Sequence, residues 1–418
     1  MDRYARHRAI EGFSQQALQA SRFAVIGAGA IGNEVVKNLC LLGVGAIDVY
    51  DFDTVEVHNL TRSVLLREAD VGSSKAASVA SRAAELDPAV TINAIDGDVW
   101  QTLGFETLRG YRCVIGALDN FEARLRVNLL CWIAGVDWIN AAIDSRYVTV
   151  ESFPFGRSAG EVDDAPVACY ECGLPPSVYQ RIAQRYSCGG LQRAAALQRV
   201  VPTTAITASI AGAQAVNRAL RMRLPHGGPK AKVELAPYAQ RWLFDSQSGS
   251  ATVARLSPAT GCPGCGDHPR HAAIVRVPSG TALALDEAAR AAAAQSIRLS
   301  DPLIWQCECA NCGTTEATRA VELQLANRVP DTITICTQCA GEAIRVLIRD
   351  DFEPGELSER FAAHTHAHAA APADARATAP PAVPARFAIA GNTCLDLQVR
   401  SSEDTENPRA AANSSNQP

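Results

Sequence analysis

The residues best suited to chemistry begin with three glycines near the start of the chain. Gly27, Gly29 and Gly32 form a Gly-x-Gly-x-x-Gly pattern that follows the apolar run 22–27 and opens a helical pattern. Glycines in this context let phosphates approach the backbone, and a helix N-terminus favours their charge. Asp51 ends the next strand, where its carboxylate can accept a ribose hydroxyl. The pattern predicts a nucleotide site without deciding between nicotinamide and ATP; a glycine turn that only packs strand on helix is the alternative.

The segment after the second predicted strand favours phosphate chemistry over hydride transfer. It contains Asp53, Asn59 and Arg62, and Lys75 follows at the start of the next helical pattern. Any one of these residues alone is best explained as a surface ion pair. Displacement at a phosphate needs such groups together, because they hold negative charge in place while pyrophosphate leaves. The set therefore predicts a site for a nucleoside triphosphate.

Asp119 and Asn120 follow the fourth predicted strand. The carboxyl edge of a parallel sheet is where ligands bind. Magnesium prefers carboxylate and phosphate oxygens as ligands. We therefore expect Asp119 to hold a magnesium ion beside the nucleotide, with Asn120 contributing to the same site.

The cysteines form a second set of candidate ligands. Eight of the 14 fall in Cys-x-x-Cys pairs. The chain starts with charged residues and shows no apolar signal core, so we expect a reducing compartment, where such pairs bind metal rather than form disulfides. The four pairs are Cys169/Cys172, Cys262/Cys265, Cys309/Cys312 and Cys336/Cys339.

The spacing of the pairs predicts two zinc sites. The long gap between the first two pairs is typical of a closed structural site that ties a crossover loop to the end of a domain; a redox role is the alternative. The last two pairs have the spacing of a zinc ribbon, with Cys307 as a further candidate ligand. Ribbons often bind nucleic acid, but the net charge of −5 favours a docking module for a protein partner.

Cys188 stands outside every pair. It lies in the sequence Arg185-Tyr-Ser-Cys188-Gly-Gly, in an irregular region that follows the first pair. The neighbouring glycines would expose the thiol, and Arg185 would favour the nucleophilic thiolate. An inert cysteine or a ligand of a third site is the alternative interpretation.

Apolar runs alternate with helical periodicity through residue 145. This alternation predicts a parallel sheet with helices on both faces. The predicted strands and helices are 22–27, 46–50, 73–86 (helix), 90–95, 111–116, 120–134 (helix) and 137–141.

The pattern changes beyond residue 146. Alternation over 147–153 predicts an antiparallel strand. A helix is expected at 204–221, and two more strands at 240–245 and 251–256.

Composition divides the chain into three regions. Residues 1–270 contain the nucleotide motifs and the first two cysteine pairs. Residues 271–350 are predicted to form a small zinc-ribbon-like module with an alanine-rich helix at 286–295. Residues 351–418 are rich in alanine and proline and are predicted to be a largely disordered tail, in which a short apolar patch at 387–399 could still dock as a strand.

Overall composition excludes several classes of protein. With 418 residues, of which 47% are hydrophobic and 20% charged, most of the chain can bury a core. No run of 18 apolar residues occurs, which argues against a membrane span. The acidic net charge argues against a nucleic-acid binder. We expect a cytoplasmic enzyme that contacts proteins, and neither nucleic acid nor a membrane.

The glycine run, the segment from Asp51 to Lys75 and Asp119 together resemble the ThiF/MoeB family of adenylating enzymes, which includes the ubiquitin-activating enzymes. The resemblance covers about residues 1–270. It implies a Rossmann-like, mostly parallel sheet with a ThiF-type antiparallel extension, and adenylation of the C-terminal glycine of a ubiquitin-like protein with MgATP. The residues it implies in ATP binding and charge stabilisation are Gly27, Gly29, Gly32, Asp51, Asp53, Asn59, Arg62, Lys75, Asp119 and Asn120.

Further expectations follow from the same resemblance. Arg6, in Arg3-Tyr-Ala-Arg6-His7, resembles the family's arginine that reaches into the partner subunit, which implies a homodimer. The first two cysteine pairs resemble the family's tetrathiolate zinc site. Cys188 stands where many members have a cysteine that takes the acyl group as a thioester.

The predicted function is ATP-dependent activation of a ubiquitin-like protein, followed by a thioester on Cys188 and transfer to a carrier enzyme. The extra module at 271–350 favours conjugation, and the chain resembles activators of bacterial ubiquitin-like systems, some of them antiviral. Sulfur transfer for thiamine or molybdopterin is one alternative. A catalytically inactive zinc-ribbon adaptor is the other.

Overall fold

The chain divides into two compact units, Met1–Ala272 and Ala273–Pro418. Each unit has its own hydrophobic core. The computed structural model describes residues 2–156, 167–185, 202–222, 238–266, 268–277, 279–315, 322–326, 336, 338–341, 344–369 and 382–397, with main chain alone for 181–185 and 365–369.

One large sheet organises the first unit. Its strands are β1 (Arg22–Ile26), β2 (Ala46–Tyr50), β3 (Thr91–Ile95), β4 (Cys113–Gly116), β5 (Trp138–Ile143), β6 (Tyr147–Phe153), β7 (Gln240–Asp245) and β8 (Ala251–Arg255). They lie in the order β3-β2-β1-β4-β5-β6-β7-β8. The strands β3 to β5 of this order are parallel, and β6, β7 and β8 are added antiparallel. The prediction of an α/β fold with a large, mostly parallel sheet is confirmed.

Helices cover the sheet because its central strands are apolar on both faces. Phe23, Val25 and Ile47 are fully buried, as expected for parallel strands with helices on each side. The helices of this unit are α1 (Gln15–Gln19), α2 (Ala30–Leu41), α3 (Lys75–Ala84), α4 (Val99–Thr102), α5 (Phe105–Arg109), α6 (Phe121–Ala134), α7 (Pro176–Arg185) and α8 (Ala205–Met222). Within the described residues, no helix is long and apolar enough to cross a membrane.

The strand order reverses direction between β1 and β4. In open α/β sheets, ligands bind outside the carboxyl ends of the strands at such a reversal. The loops after β1 and β4 meet here: the Ala117 N–H donates to the Ile26 carbonyl at 2.7 Å, and the Gly27 N–H donates to the Tyr50 carbonyl at 2.8 Å. The topology therefore brings the loops after β1, β2 and β4 to one edge.

In the second unit, the described residues form a smaller mixed sheet and two helices. Its elements are β9 (Ala273–Arg276), α9 (Ala282–Ala291), β10 (Ile297–Cys309), β11 (Ile344–Phe352), α10 (Glu356–Ala369), β12 (Phe387–Ala390) and β13 (Thr393–Asp396). The strand order is β11-β10-β12-β13-β9. Helix α9 begins four residues before the predicted 286–295 because Thr281 caps it, accepting a hydrogen bond from the Ala284 N–H at 3.3 Å.

The region expected to be a loose tail contributes to this unit. Helix α10 and the hairpin of β12 and β13 lie within 351–418, and their apolar side chains join the core. Leu357 and Phe361, four residues apart, are buried on one helix face, and Phe387 and Leu395 are buried in the hairpin. Alanine, proline and histidine dominate the composition of the region, so composition alone predicts disorder despite these few buried apolar residues.

Candidate active site and cysteine clusters

The three motif glycines have different structural roles. Gly27 has a φ of +97°, and a Cβ atom on it would lie 2.5 Å from the Ala117 carbonyl oxygen. A Cβ on Gly32 would lie 1.8 Å from the Gly27 carbonyl oxygen, so a side chain there would break the turn. Gly29 has no atom within 4 Å of the corresponding position. Gly27 and Gly32 thus allow the loop to pack, and Gly29 leaves the approach to the backbone open.

Asp51 holds the glycine loop in shape. One carboxylate oxygen accepts a hydrogen bond from the Ala28 N–H at 2.6 Å, and the other accepts from the Asp53 N–H at 2.8 Å. Burial raises the pKa of Asp51, while these two N–H groups oppose the rise. The sequence predicts that Asp51 binds a ribose hydroxyl. In the structure its carboxylate also joins the loops after β1 and β2.

Lys75 is placed at the same edge by Asp53. The Lys75 ammonium lies 2.8 Å from the Asp53 carboxylate, and the Lys75 N–H donates to the Asp53 carbonyl at 2.9 Å. The Lys75 side chain is only 12% exposed, whereas that of Asp53 is 53% exposed. The lysine is therefore held at the start of α3 by a carboxylate that faces solvent, with Asp51 as a second charged neighbour.

Asn59 and Arg62 lie in the turns between β2 and α3. Asn59 is buried, and its side-chain oxygen accepts a hydrogen bond from the Glu56 N–H at 2.9 Å, which closes the turn on itself. The guanidinium of Arg62 donates to the His58 carbonyl at 2.7 Å. Asn59 therefore caps the turn that carries Arg62, whereas the phosphate contact predicted from the sequence remains a prediction.

Asp119 and Asn120 lie where β4 gives way to α6. Asn120 is the N-cap of α6, accepting a hydrogen bond from the Ala123 N–H at 2.8 Å, and its amide nitrogen donates to the Asp119 carboxylate at 3.2 Å. Asp119 is exposed. Its carboxylate is thus oriented by the neighbouring cap and accessible to a cation.

The N-terminal segment is anchored at the other end of α2. Tyr4 is buried against Gly43, and its hydroxyl donates to the Asp87 carboxylate. Helix α2 has 12 residues and is therefore about 18 Å long, with the glycine loop at its start and Gly43 just after its end. Arg6 is exposed. Within one chain, the structure does not bring Arg6 together with Lys75 and Arg62. Cys188 lies outside the described residues.

The first cysteine cluster consists of Cys169, Cys172, Cys262 and Cys265. The sulfur–sulfur distances are 3.6 Å for Cys169–Cys262, 3.9 Å for Cys169–Cys172 and 3.4 Å for Cys172–Cys265. Four thiolates around a tetrahedral zinc lie about 3.8 Å apart, given a Zn–S distance near 2.3 Å. A disulfide would need about 2.05 Å. The donor set therefore fits zinc.

Hydrogen bonding within the cluster lowers the pKa of two thiols and raises that of the other two; contact with the Cys172 thiol raises the pKa of Cys169. Contact with the Cys169 thiol lowers the pKa of Cys172 and lowers that of Cys262 to about 6. Thiolates are the form that binds metal. Asn128 of α6 supports the first knuckle: its side-chain oxygen accepts from the Tyr170 N–H at 3.0 Å, and its amide nitrogen lies 3.4 Å from a Glu171 carboxylate oxygen.

The second cysteine cluster consists of Cys309, Cys312, Cys336 and Cys339. Their ligand atoms lie within 4.8 Å of one another, with sulfur–sulfur distances of 3.6 Å for Cys309–Cys339 and 3.8 Å for Cys312–Cys336. The backbone N–H of Cys312 lowers the pKa of Cys309 to about 6. This donor set also fits zinc. Cys307 is buried and is not part of the cluster.

Comparison with known family models gives a match that lies within the first unit. The model of the ThiF family matches residues 2–264. The chain belongs to the ThiF family.

Several curated relatives of this ThiF-family chain are similar over part of its length. A sulfur carrier protein adenylyltransferase of Thermus thermophilus is 30% identical over 66% of this chain and 94% of its own. A SAMP-activating enzyme E1 of Haloferax volcanii is 34% identical over 42% and 62%, respectively. The chain spans only 22% of the SUMO-activating enzyme subunit 2 of Dictyostelium discoideum. Crystal structures of E. coli MccB, such as that with MccA-N7isoASN, are more distant, at a TM-score of 0.48 and 21% identity over 64% of this chain and 75% of that one.

Sequence reasoning missed two buried asparagines of this ThiF-family domain. Asn33, directly after the third motif glycine, bonds both to the glycine loop and to the segment that carries Arg62. Asn128 joins α6 to the first cysteine cluster. The available signal was an apolar residue three positions further along each helix, Val36 after Asn33 and Cys131 after Asn128, which places the amide near a buried face.

Proposed function

We propose that this chain is an ATP-dependent adenylyltransferase that activates the C-terminal carboxylate of a ubiquitin-like protein. The carboxylate attacks the α-phosphate of ATP, the bond from that phosphorus to the bridging oxygen of pyrophosphate breaks, and an acyl adenylate forms. The observation that carries the proposal is the meeting of an open glycine backbone, a restrained Lys75 and an exposed, oriented Asp119 at one edge of the sheet.

The proposed roles follow from where the charges lie. Lys75 and Arg62 stabilise negative charge on the phosphates as pyrophosphate leaves. Asp119 offers an exposed carboxylate that fits magnesium, which prefers such oxygens together with those of phosphate. When bound, magnesium would neutralise charge on the leaving group. Lys75 already carries Asp53 as a partner, so ATP binding would recruit a cation that is oriented in advance.

The acceptor is proposed from the relatives. Two of them are described as a SAMP-activating enzyme E1 and a sulfur carrier protein adenylyltransferase. We infer a small protein of ubiquitin-like fold with a C-terminal glycine, which presents a flexible carboxylate to the open side of the glycine loop.

A homodimer is part of the proposal. Arg6 is exposed and lies at the end of α2 opposite to the glycine loop, about 18 Å along that helix. We therefore propose that Arg6 contacts the phosphates bound at the glycine loop of a second copy of the chain. Such an arginine in trans would add positive charge to the transition state.

The fate of the adenylate separates two candidate functions. In conjugation, the Cys188 thiolate attacks the acyl carbon, AMP leaves, and the thioester passes to a carrier enzyme that docks on the zinc-ribbon-like second unit. In sulfur transfer, sulfide-level sulfur from a separate donor attacks the acyl carbon, AMP leaves, and a thiocarboxylate forms. The second candidate is favoured by the near-complete coverage of the Thermus thermophilus relative, at 94%. The additional unit with its own core and cysteine cluster favours the first.

ATP–pyrophosphate exchange with a ubiquitin-like protein ending in glycine tests the adenylation step. Exchange should depend on that protein and fall at least about 100-fold in Asp119→Ala and Lys75→Ala, since each removes a transition-state charge contact. Lys37→Ala is the matched control, because Lys37 pairs with Glu34 elsewhere on α2. Exchange that survives in Asp119→Ala and Lys75→Ala would overturn the assignment, and an inactive adaptor would show no ATP binding at all.

A non-reducing gel separates the two fates. Conjugation predicts an adduct with the ubiquitin-like protein that reductant removes and that is absent in Cys188→Ala. Sulfur transfer through a thiocarboxylate predicts that the gel pattern is the same for the wild type and Cys188→Ala.

A further inference from the structure

Asn33 is a buried amide whose three hydrogen bonds all point at the candidate nucleotide site. Its side-chain nitrogen donates to the Ala28 carbonyl at 2.7 Å and to the Gly29 carbonyl at 3.0 Å, and its side-chain oxygen accepts from the Leu65 N–H at 2.8 Å. Asn33 is fully buried. Both N–H donors of the amide are therefore used and its oxygen has a partner, so the side chain is committed to the protein rather than to a ligand.

These bonds join two segments that are distant in sequence. Ala28 and Gly29 form the glycine loop after β1, whereas Leu65 ends the turn that begins at Asn59 and contains Arg62. Leu65 and Leu66 are buried in the core directly after this turn. Arg62 is three residues from Leu65, so the Asn33 bond fixes the main chain within three residues of Arg62.

We propose that Asn33 is a positioning residue, which sets the distance between Arg62 and the backbone of the glycine loop. The inference rests on the proposed function, because it concerns how the loop and Arg62 reach the same phosphates. Asn33 touches neither substrate nor phosphate. It acts by fixing the relative position of the two segments that are proposed to contact phosphate, as hydrogen bonds behind the ligand-contacting residues do in other binding sites.

Asparagine is suited to this position because its side-chain amide both donates two hydrogen bonds and accepts one. An aspartate could accept from the Leu65 N–H but could not donate to the two carbonyls, and it would bring negative charge beside the phosphate loop. Alanine would leave the buried Leu65 N–H without its acceptor, which is unfavourable. Serine offers one hydroxyl and can keep only part of the network.

Coupling between Asn33 and Arg62 tests the proposal. ATP binding to the full-length protein is measured by calorimetry for the wild type, Asn33→Ala, Arg62→Ala and the double variant. Asn33→Ala should weaken binding about tenfold, the size of coupling found within one network. Arg62→Ala should then have less than about a third of its wild-type effect in the Asn33→Ala background, since a displaced Arg62 contributes little.

Val216→Ala on α8 is the control, because it removes buried methyl groups without a bond to the loop. In that background the effect of Arg62→Ala should equal its wild-type effect. Equal effects in the Asn33→Ala background as well would show that Asn33 only supports the fold, and would overturn the proposal. If Asn33→Ala does not fold, Asn33→Ser replaces it in the same cycle.

Amide hydrogen exchange gives a readout that does not depend on ATP. In Asn33→Ala, the Leu65 amide should exchange at least about tenfold faster while the amides of β1 keep their protection. Unchanged Leu65 protection overturns the inference alone. A wild-type protein with this protection but no saturable ATP binding would instead overturn the proposed function, and with it a role of Asn33 at phosphates.

Discussion

Each of the two cysteine clusters consists of two Cys-x-x-Cys pairs, but the clusters differ in what they hold together. In the first cluster, Cys169 and Cys262 are 93 positions apart, and the cluster joins the segment after β6 to the segment after β8. In the second, Cys309 and Cys339 are 30 positions apart and lie within the second unit. The first cluster closes a long loop in the candidate adenylation domain, whereas the second closes a short one.

The first cluster is also packed more closely against the rest of its unit than the second cluster. Tyr170, inside the first knuckle, is buried and packs edge-on against Trp138 of β5 and Phe153 of β6. Asn128 connects that knuckle to α6, which begins at Asn120 beside Asp119. In the second cluster, Cys312 and Cys339 are exposed. We infer that the first cluster supports the sheet and α6, and that the second supports its own unit.

Loss of the first cluster should have the largest effect. Cys172→Ala removes one of the four thiols that fit a zinc ion, and closed structural zinc sites contribute directly to folding. We expect the protein to lose one zinc by elemental analysis and to lose measurable ATP binding by calorimetry. Normal ATP binding after the loss of that zinc would show that the first cluster does not support the nucleotide edge.

Loss of the second cluster should leave the nucleotide edge intact. Cys339→Ala should also remove one zinc, but ATP binding should stay within about twofold of wild type, because the second unit has its own core. Proteolysis confined to the second unit would accompany the loss. An ATP affinity that falls as far as in Cys172→Ala would contradict the comparison.

Zinc release to a chelator should separate the two clusters in the wild type. The exposed Cys312 and Cys339 give a competing ligand direct access, whereas the first cluster needs local opening of a buried knuckle. We expect two phases of absorbance change with a metal indicator, with rates at least about tenfold apart. The fast phase should vanish in Cys339→Ala; its persistence there would reverse the assignment.

The sequence was informative about the elements because their signals are local. The apolar run at 22–27 became β1, and the helix expected at 120–134 begins at Phe121 after its Asn120 cap. Helix α10 was missed because few apolar residues lie within an alanine- and proline-rich region, and their partners are far away in the sequence. The apolar patch at 387–399 did indicate a strand, and it forms the hairpin of β12 and β13.

For the candidate sites, the sequence indicated which residues meet but not what holds them. The spacing of the cysteines predicted both clusters, and the structure brings the four sulfur atoms of each together. The bonds of Asn33 to Leu65 and of Asn128 to Tyr170 join positions 32 and 42 apart. No periodic pattern encodes such pairs, because each depends on the finished packing of strands and helices.

The smallest expected effect distinguishes the clusters at matched glycines. A Cβ on Gly264 would lie 2.4 Å from a Glu171 carboxylate oxygen and 3.1 Å from the Cys169 sulfur. A Cβ on Gly341 would lie 2.1 Å from the Asn311 amide nitrogen and 3.2 Å from the Cys339 sulfur. The clashes are similar, but Glu171 is held by the Tyr179 hydroxyl at 2.8 Å, whereas Asn311 is exposed.

Gly264→Ala should therefore disturb its cluster more than Gly341→Ala. Overpacking a held site costs about 1–3 kcal/mol, so the slow phase of zinc release should become about tenfold faster in Gly264→Ala. Asn311 can swing into solvent, so the fast phase should change by less than about threefold in Gly341→Ala, as at ordinary surface positions. Equal acceleration of the two phases would mean that both knuckles are held with similar rigidity, and that the difference between the clusters lies in solvent access alone.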